Sequence, residues 1–160
     1  MPNLKDIRTR ITSVGSTMQI TSAMKLVSAA KLKRATDSIV QLRPYADKLR
    51  ELLQNVSSTL EAEVGGALTE QREVNKVLLV VINSNRGLCG GYNSSIIKKV
   101  NALLADELAG KQVELLTIGK KAFETFKKTQ EIYKNESTIW DNSNFADVAE
   151  IADDLVEKFT

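Results

Sequence analysis

Histidine is absent from the 160 residues, and with it go the commonest general base, the usual imidazole metal ligand and the serine-type triad. Acyl-transfer chemistry has no evident proton carrier, and no metal or cofactor site is expected. The single cysteine, Cys89, cannot form an internal disulfide, which excludes a disulfide scaffold and fits a reducing compartment. As a nucleophile it has no base to activate it, so a small side chain in a tight turn is the better reading. Long apolar runs are missing too. The longest, Val77 to Ile82, falls far short of the roughly 18 residues a membrane span needs. The polar start (Pro2, Asn3, Lys5, Asp6, Arg8, Arg10) lacks the apolar centre of a secretory signal. A cytoplasmic protein, neither secreted nor membrane-spanning, is the expectation.

With 42% hydrophobic and 26% charged residues, the composition is that of a chain that folds. The length suits one ordinary domain, or a small domain with an extended element. The net charge of +2 conceals an asymmetry. Residues 1–50 carry ten Lys/Arg against three Asp/Glu, whereas residues 51–160 carry twelve against seventeen. A basic segment followed by an acidic one implies that the first meets an acidic surface, whether protein, nucleic acid or lipid headgroup.

The spacing from Leu4 to Leu60 alternates three and four: Leu4, Ile7, Ile11, Val14, Met18, Thr21, Lys25, Ser28, Leu32, Ala35, Ile39, Leu42, Ala46, Leu49, Leu53, Val56, Leu60. Fourteen of these seventeen positions are apolar. This predicts one helix of roughly 80 Å, built to wrap a partner helix because it cannot bury its own stripe. The three exceptions are consecutive, and there the apolar residues move to Ile20, Ala23, Met24, Val27 and Ala30. The seam shifts, or faces something different. Pro44 removes one donor and crowds the preceding turn, which predicts a bend or local break near Leu42. Gly65 and Gly66, with the polar stretch Thr69 to Asn75, mark a domain boundary.

Beyond the boundary, Val77 to Ile82 reads as a strand buried on both faces of a parallel sheet. A glycine-rich turn, an amphipathic helix from about Ser94 to Leu108, a strand over Val113 to Ile118, and a helix opening near Lys120 with Phe123 and Phe126 inward follow. The alternation is βαβ. A weaker strand is expected at Thr138 to Trp140. Asn144 should then cap a helix with Phe145, Val148, Ala149, Ala152, Leu155, Val156 and Phe159 on its apolar face. No stop signal precedes Thr160, so a fragment is expected. The domain reading is a long coiled-coil helix over 1–62, a linker over 63–75, and a partial Rossmann-like α/β domain with a mainly parallel sheet over 76–160, apparently truncated.

The turn from Asn83 to Asn93 places three closely spaced glycines between a strand and a helix N-terminus, where phosphates are often held. Its G-x-x-G-G spacing lacks the G-x-G-x-x-G fingerprint and the Gly-Lys-Ser/Thr ending. A small nucleotide-binding α/β enzyme therefore stays open but weak beside a structural reading, in which the glycines allow close backbone approach and Arg86 presents a surface charge. Paired carboxylates such as Asp106 with Glu107 and Asp153 with Asp154 diverge around a helix and read as solvated. Lys31, Lys33 and Arg34 spread over more than half of the helix circumference. They are either a solvated face or a protein contact, and they form no single DNA-reading face. Met18 and Met24 read as apolar packing, although Met24 lies off the seam and could touch an external partner. A coiled-coil nucleic-acid binder is the other alternative.

Four ordered segments carry a more specific signal: Leu4-Lys5-Asp6-Ile7-Arg8-x-Arg10-Ile11, Gln19-Ile20-Thr21-x-Ala23-Met24-Lys25-Leu26-Val27-Ser28-Ala29-Ala30-Lys31, Arg43-Pro44-Tyr45-Ala46, and Asn85-Arg86-Gly87-Leu88-Cys89-Gly90-Gly91. Together they resemble the gamma subunit family of bacterial F-type ATP synthases. The resemblance implies a long helix pairing with a C-terminal helix as a rotor shaft inside a ring of alpha and beta subunits, with an α/β domain at its side. It implies a non-catalytic, peripheral subunit at the cytoplasmic face of the bacterial inner membrane, reaching the membrane only through the complex. It also implies that Ile20, Met24, Lys25, Lys31, Lys33 and Arg34 face acidic lever loops of beta subunits. Arg43, Tyr45, Arg50, Arg86, Gly87, Gly90 and Gly91 would lie toward the foot, where the epsilon subunit and the membrane c-subunit ring join. No nucleic acid and no cofactor are implied, and the second shaft helix that the family carries is missing.

Overall fold

The computed structural model describes residues 3–59, 68, 72–141 and 144–160. The chain divides into two compact units, Met1–Val64 and Gly65–Thr160. Most of the linker expected at 63–75, with Gly65 and Gly66, and the seam position Leu60 lie outside the described residues.

The first unit is one helix, α1 (Leu4–Thr59). Asn3 opens it, its side-chain oxygen accepting from Lys5 N (3.2 Å) and its carbonyl from Asp6 and Ile7. Serine and threonine inside the helix satisfy themselves against the preceding turn, as in Thr9 to Lys5 O (3.0 Å), Thr17 to Ser13 O (2.9 Å) and Thr36 to Leu32 O (2.9 Å). The helix runs unbroken through Pro44, so the expected local break near Leu42 is absent. A single proline removes one bond of the ladder, and the turns on either side keep the rest. The apolar seam is exposed along the described length of α1, Leu4 at 74% and Leu32 at 69% among others.

The second unit holds β1 (Lys76–Ile82), α2 (Tyr92–Ala105), β2 (Gln112–Ile118), α3 (Lys120–Phe126), β3 (Glu131–Asn135), a 3₁₀ turn at Ser137–Trp140 and α4 (Phe145–Phe159). The strands form a parallel sheet in the order β1-β2-β3. Lys76 pairs with Gln112 and Ile82 with Ile118, while β2 and β3 slip register between Leu115 and Leu116. Strand alternation sends Val113 and Leu115 to one face and Glu114 and Leu116 to the other. On the first face, Val81, Val100, Leu115, Ala122 and Phe126 form the core, with Leu79, Ile96 and Ile132 packed against it. No described helix is long and apolar enough to cross a membrane.

Three expectations are corrected here. The third strand is not at Thr138 to Trp140 but at Glu131–Asn135, and Ser137–Trp140 coils as a 3₁₀ turn. Trp140 turns its indole N–H to Ile118 O (3.3 Å) and Asn85 donates to Ser137 O (2.8 Å), so this segment closes the end of the sheet rather than extending it. The helix expected from Ser94 to Leu108 begins earlier, at Tyr92, and ends at Ala105. Asn144 does cap α4, accepting from Asp147 N (2.9 Å), but the buried face of that helix is not the one its apolar residues suggested. Ile151 is buried and Leu155 half-buried, whereas Phe145, Val148, Val156 and Phe159 are exposed. The reason is a polar clamp on the same face. Lys158 Nζ meets Glu114 (3.0 Å), Tyr133 donates its hydroxyl to Asp154 Oδ1 (2.9 Å), and Lys134 Nζ lies 2.9 Å from Glu136 and 3.5 Å from Asp154. Ile151, Asp154, Leu155 and Lys158 recur at helical spacing and turn together toward β2 and β3.

Candidate partner interface

At 3.6 residues per turn, the helix gathers some of the basic-segment residues and separates others. Ile20, Met24, Val27, Lys31 and Arg34 recur at spacings of four and three on α1, which confines them to within about 80° of the helix circumference. Lys25 and Lys33 project from the other side of the same helix. The stripe is apolar at its start, with Ile20 62% and Met24 48% exposed, and cationic at its end. It lies one face round from the Leu4–Val56 seam, so α1 presents two stripes, and both are open. Further along, Arg43 and Arg50 sit about two turns apart on a shared face, while the exposed Tyr45 lies away from both. Arg50 makes a surface pair with Asp47 (3.5 Å), and Lys48 one with Glu51 (2.6 Å). Exposed pairs of this type are worth at most about 1 kcal/mol.

The remaining expected residues, Arg86, Gly87, Gly90 and Gly91, belong to the second unit. Their turn is held from within. Ser84 N donates to Asn93 Oδ1 (3.2 Å), and Asn93 Nδ2 donates to Ser84 Oγ (2.8 Å), Arg86 O (3.3 Å) and Cys89 Sγ (3.2 Å). Cys89 is thus tied into the base of the turn even though it is exposed. Gly90 adopts φ +59°, which favours glycine. A Cβ at Gly87, Gly90 or Gly91 would meet nothing closer than ordinary contact, so the close backbone approach expected of these glycines is absent at all three.

The steric need for glycine lies elsewhere, at Gly119, which the sequence reading passed over. Its φ is +141°, and a Cβ there would collide with Asn83. Asn83, 1% exposed, donates to Gly119 O (3.1 Å) and accepts from Ala122 N (2.6 Å) in the amide orientation that satisfies both. Asn85 Oδ1 accepts from Lys120 N (2.9 Å). Two asparagines from the end of β1 therefore cap the N-terminus of α3, which is what the Asn83-Ser84-Asn85 run accomplishes. The signal was two asparagines in alternate positions straight after a buried strand. An anion at that helix end would have to displace both side chains.

Elsewhere in the unit the electrostatics are local. The hydrogen bond from Lys121 holds the Glu124 carboxyl below its usual range. Hydrogen bonds to Glu136 and Glu114 raise Lys134 and Lys158 above the ordinary lysine value, and the bond to Asp154 raises the Tyr133 hydroxyl. A cleft of about 420 Å³ beside the 3₁₀ turn is lined by Glu136, Asp141, Asp147 and Glu150 among others. Among the described residues no three His, Cys, Asp or Glu converge to hold a metal ion.

Comparison with known proteins places this architecture. Residues 3–160 match the family model described as ATP synthase. The ATP synthase gamma chain of Flavobacterium johnsoniae is 61% identical over 159 residues, 99% of this chain and 55% of that protein. That of Flavobacterium psychrophilum is 57% identical over 159 residues, again 99% and 55%. The gamma chain of Christiangramia forsetii is 48% identical over 159 residues, covering 99% and 56%. The chain spans about half the length of the curated relatives it matches. With the family matched from residue 3 to residue 160 and relatives of this identity along nearly all of its length, the chain belongs to the ATP synthase family, and its relatives there are gamma chains.

Proposed function

We propose that this chain serves in the central-stalk rotor subunit of an F-type ATP synthase, coupling transmembrane proton flow to ATP synthesis and hydrolysis by turning inside the ring of alpha and beta subunits. The observation that carries the reading is the 61% identity over 159 residues to a protein named ATP synthase gamma chain. The chain does no catalysis by itself. Residues 1–62 act as the shaft, 63–75 as a linker and 76–160 as the domain at its side. A long helix with two open stripes suits a shaft, because one stripe can take a second helix while the other faces the surrounding ring.

The stripe Ile20, Met24, Lys31 and Arg34 is the surface for acidic loops of the beta subunits, with Lys25 and Lys33 reaching whatever stands on the opposite side. Ion pairs formed there are worth more than exposed ones once the ring excludes water. Arg43, Tyr45, Arg50 and the turn at Arg86, Gly87, Gly90 and Gly91 serve contacts toward the epsilon subunit and the c-subunit ring. The membrane is reached only through that complex, on the cytoplasmic face.

The test is reconstitution with alpha and beta subunits, keeping the coding sequence that follows Thr160 where there is one. A stoichiometric complex whose ATP turnover depends on this subunit, and whose shaft rotates under single-molecule observation, is expected. A chain that binds duplex DNA below micromolar while leaving alpha and beta subunits unbound would sink the proposal.

A further inference from the structure

We propose that Leu88 is a preorganised anchor, the side chain that the Asn83–Asn93 turn exists to present, and that it seats in an apolar socket rimmed by carboxylates on a partner protein. The inference rests on the reading of the chain as a subunit of a larger assembly. Two independent features of Leu88 are unfavourable in the chain by itself. It is 94% exposed, more than any other exposed large hydrophobic among the described residues. It also has φ +62°, and among the described residues it is the one non-glycine residue in the left-handed region. A leucine gains nothing there that asparagine or glycine would not supply with less strain.

The turn around it is nevertheless fixed. Asn93 ties together Ser84, the Arg86 carbonyl and the Cys89 thiol, and Asn85 reaches across to Lys120 N and Ser137 O. Gly90, at φ +59°, lets the chain turn back into α2. With the exposed Cys89 held to Asn93 at the base of the turn, its neighbour Leu88 is left open to solvent. A strained apolar tip on a rigid base loses little conformational freedom on docking, which is the situation in which strain is retained for use.

Charge indicates the partner's chemistry. From Asn83 to Ala105 there is no carboxylate, while Arg86, Lys98 and Lys99 are cationic. Arg86 is exposed and has no ion-pair partner among the described residues. An apolar socket with acidic groups around its mouth matches a leucine flanked by an arginine.

Three variants test this: Leu88→Asn and Leu88→Gly, which accept the left-handed backbone and remove the apolar tip, and Leu88→Met, which keeps it. Each is assayed for thermal unfolding alone, and by calorimetry for binding to the alpha–beta ring and to epsilon. For Asn and Gly the expectation is a melting midpoint at or above wild type, by up to about 4–8 °C, together with a tenfold or greater loss of affinity for one partner. Met should bind within about threefold of wild type. Unchanged affinity in both Asn and Gly variants overturns the proposal. So does lost affinity with a lowered midpoint in both, because Leu88 would then be holding the turn. So does affinity for anionic phosphatidylserine vesicles that falls while subunit binding stays intact, since the tip would then be a lipid anchor. If wild type itself binds no subunit, it is the rotor reading that fails.

Discussion

Gly119 and Asn83 stand so close that no side chain fits between them: a Cβ on Gly119 would lie 2.7 Å from the Asn83 carbonyl carbon, and nearer still to its carbonyl oxygen and to its side-chain amide. The two residues follow β2 and β1, whose last paired residues are Ile118 and Ile82. Their contact fixes where α3 begins. Gly119→Ala combines a backbone clash with a φ of +141° that L side chains rarely adopt. The expected cost is about 2–4 kcal/mol, with loss of the Asn83 cap included. Chemical denaturation followed by near-ultraviolet circular dichroism would check it. An equally stable alanine variant would mean that the turn has room to relax.

The clamp of α4 on the sheet predicts an alkaline weakness. Lys158 and Lys134 have folded-state values raised above the ordinary 10.5 by hydrogen bonds to Glu114 and Glu136, and Tyr133 is raised above 10.0 by its bond to Asp154. Each group then holds its proton more tightly folded than unfolded. Their contribution is complete below about pH 10 and is lost as pH climbs through the raised values. The unfolding midpoint of wild type should fall between pH 10 and 12 more steeply than that of a Lys158→Met, Tyr133→Phe double variant. Parallel curves would show that the clamp does not titrate with folding.

The helical stripe sorts the basic residues. Lys31→Glu with Arg34→Glu puts like charge on the Ile20–Met24 face, and a loss of a few kcal/mol of ring affinity is expected where the pairs are desolvated. Lys33→Glu, from the opposite side of α1, should cost at most about 1 kcal/mol and fade with salt. Complex yield and ATP turnover at low and high ionic strength measure both. Equal effects from the two sides would argue that the shaft is gripped all round.

An open seam of this length should associate. In sedimentation velocity the chain alone should show a concentration-dependent increase in mean mass, removed by Leu49→Glu with Leu53→Glu on the seam. A monomer at all concentrations would mean that the Leu4–Val56 stripe does not pair with itself.

Much of this molecule was legible from the chain because its strongest signals are periodic. The three-four alternation from Leu4 onward marks one long helix, and the run Val77 to Ile82 marks a strand by its length, its β-branched residues and the glycine-rich turn after it, although Ile82, expected to be buried with the rest, is 51% exposed. β3 escaped for the opposite reason. Its Glu131, Lys134 and Asn135 dilute Ile132 and Tyr133, and the strand is recognisable only once β2 offers it an edge. The α4 face was misassigned because apolarity was read without the sheet it meets, where Glu114 and Tyr133 reward Lys158 and Asp154 over Phe145 and Val148. On α1 the shift of apolar residues to Ile20, Met24 and Val27 marked a second face, but reading Lys31, Lys33 and Arg34 as one cluster spread round the helix hid that Lys31 and Arg34 continue it. The turn's glycines drew attention by number, yet the decisive contacts come from Asn83, Asn85 and Asn93.

The order β1-β2-β3 has a consequence for synthesis on the ribosome. Each strand pairs with the one that follows it in the chain, Lys76 with Gln112 and then Leu115 with Ile132. No early strand must wait for the last. The β1–β2 pair and the α2 between them can dock as soon as Ile118 clears the exit tunnel, while α4 is still inside it, so the sheet can grow vectorially at the pace of translation. α1 emerges before all of it with its seam uncovered. For the nascent protein the danger is therefore early, when neighbouring polysomes hold many identical bare helices within reach of one another.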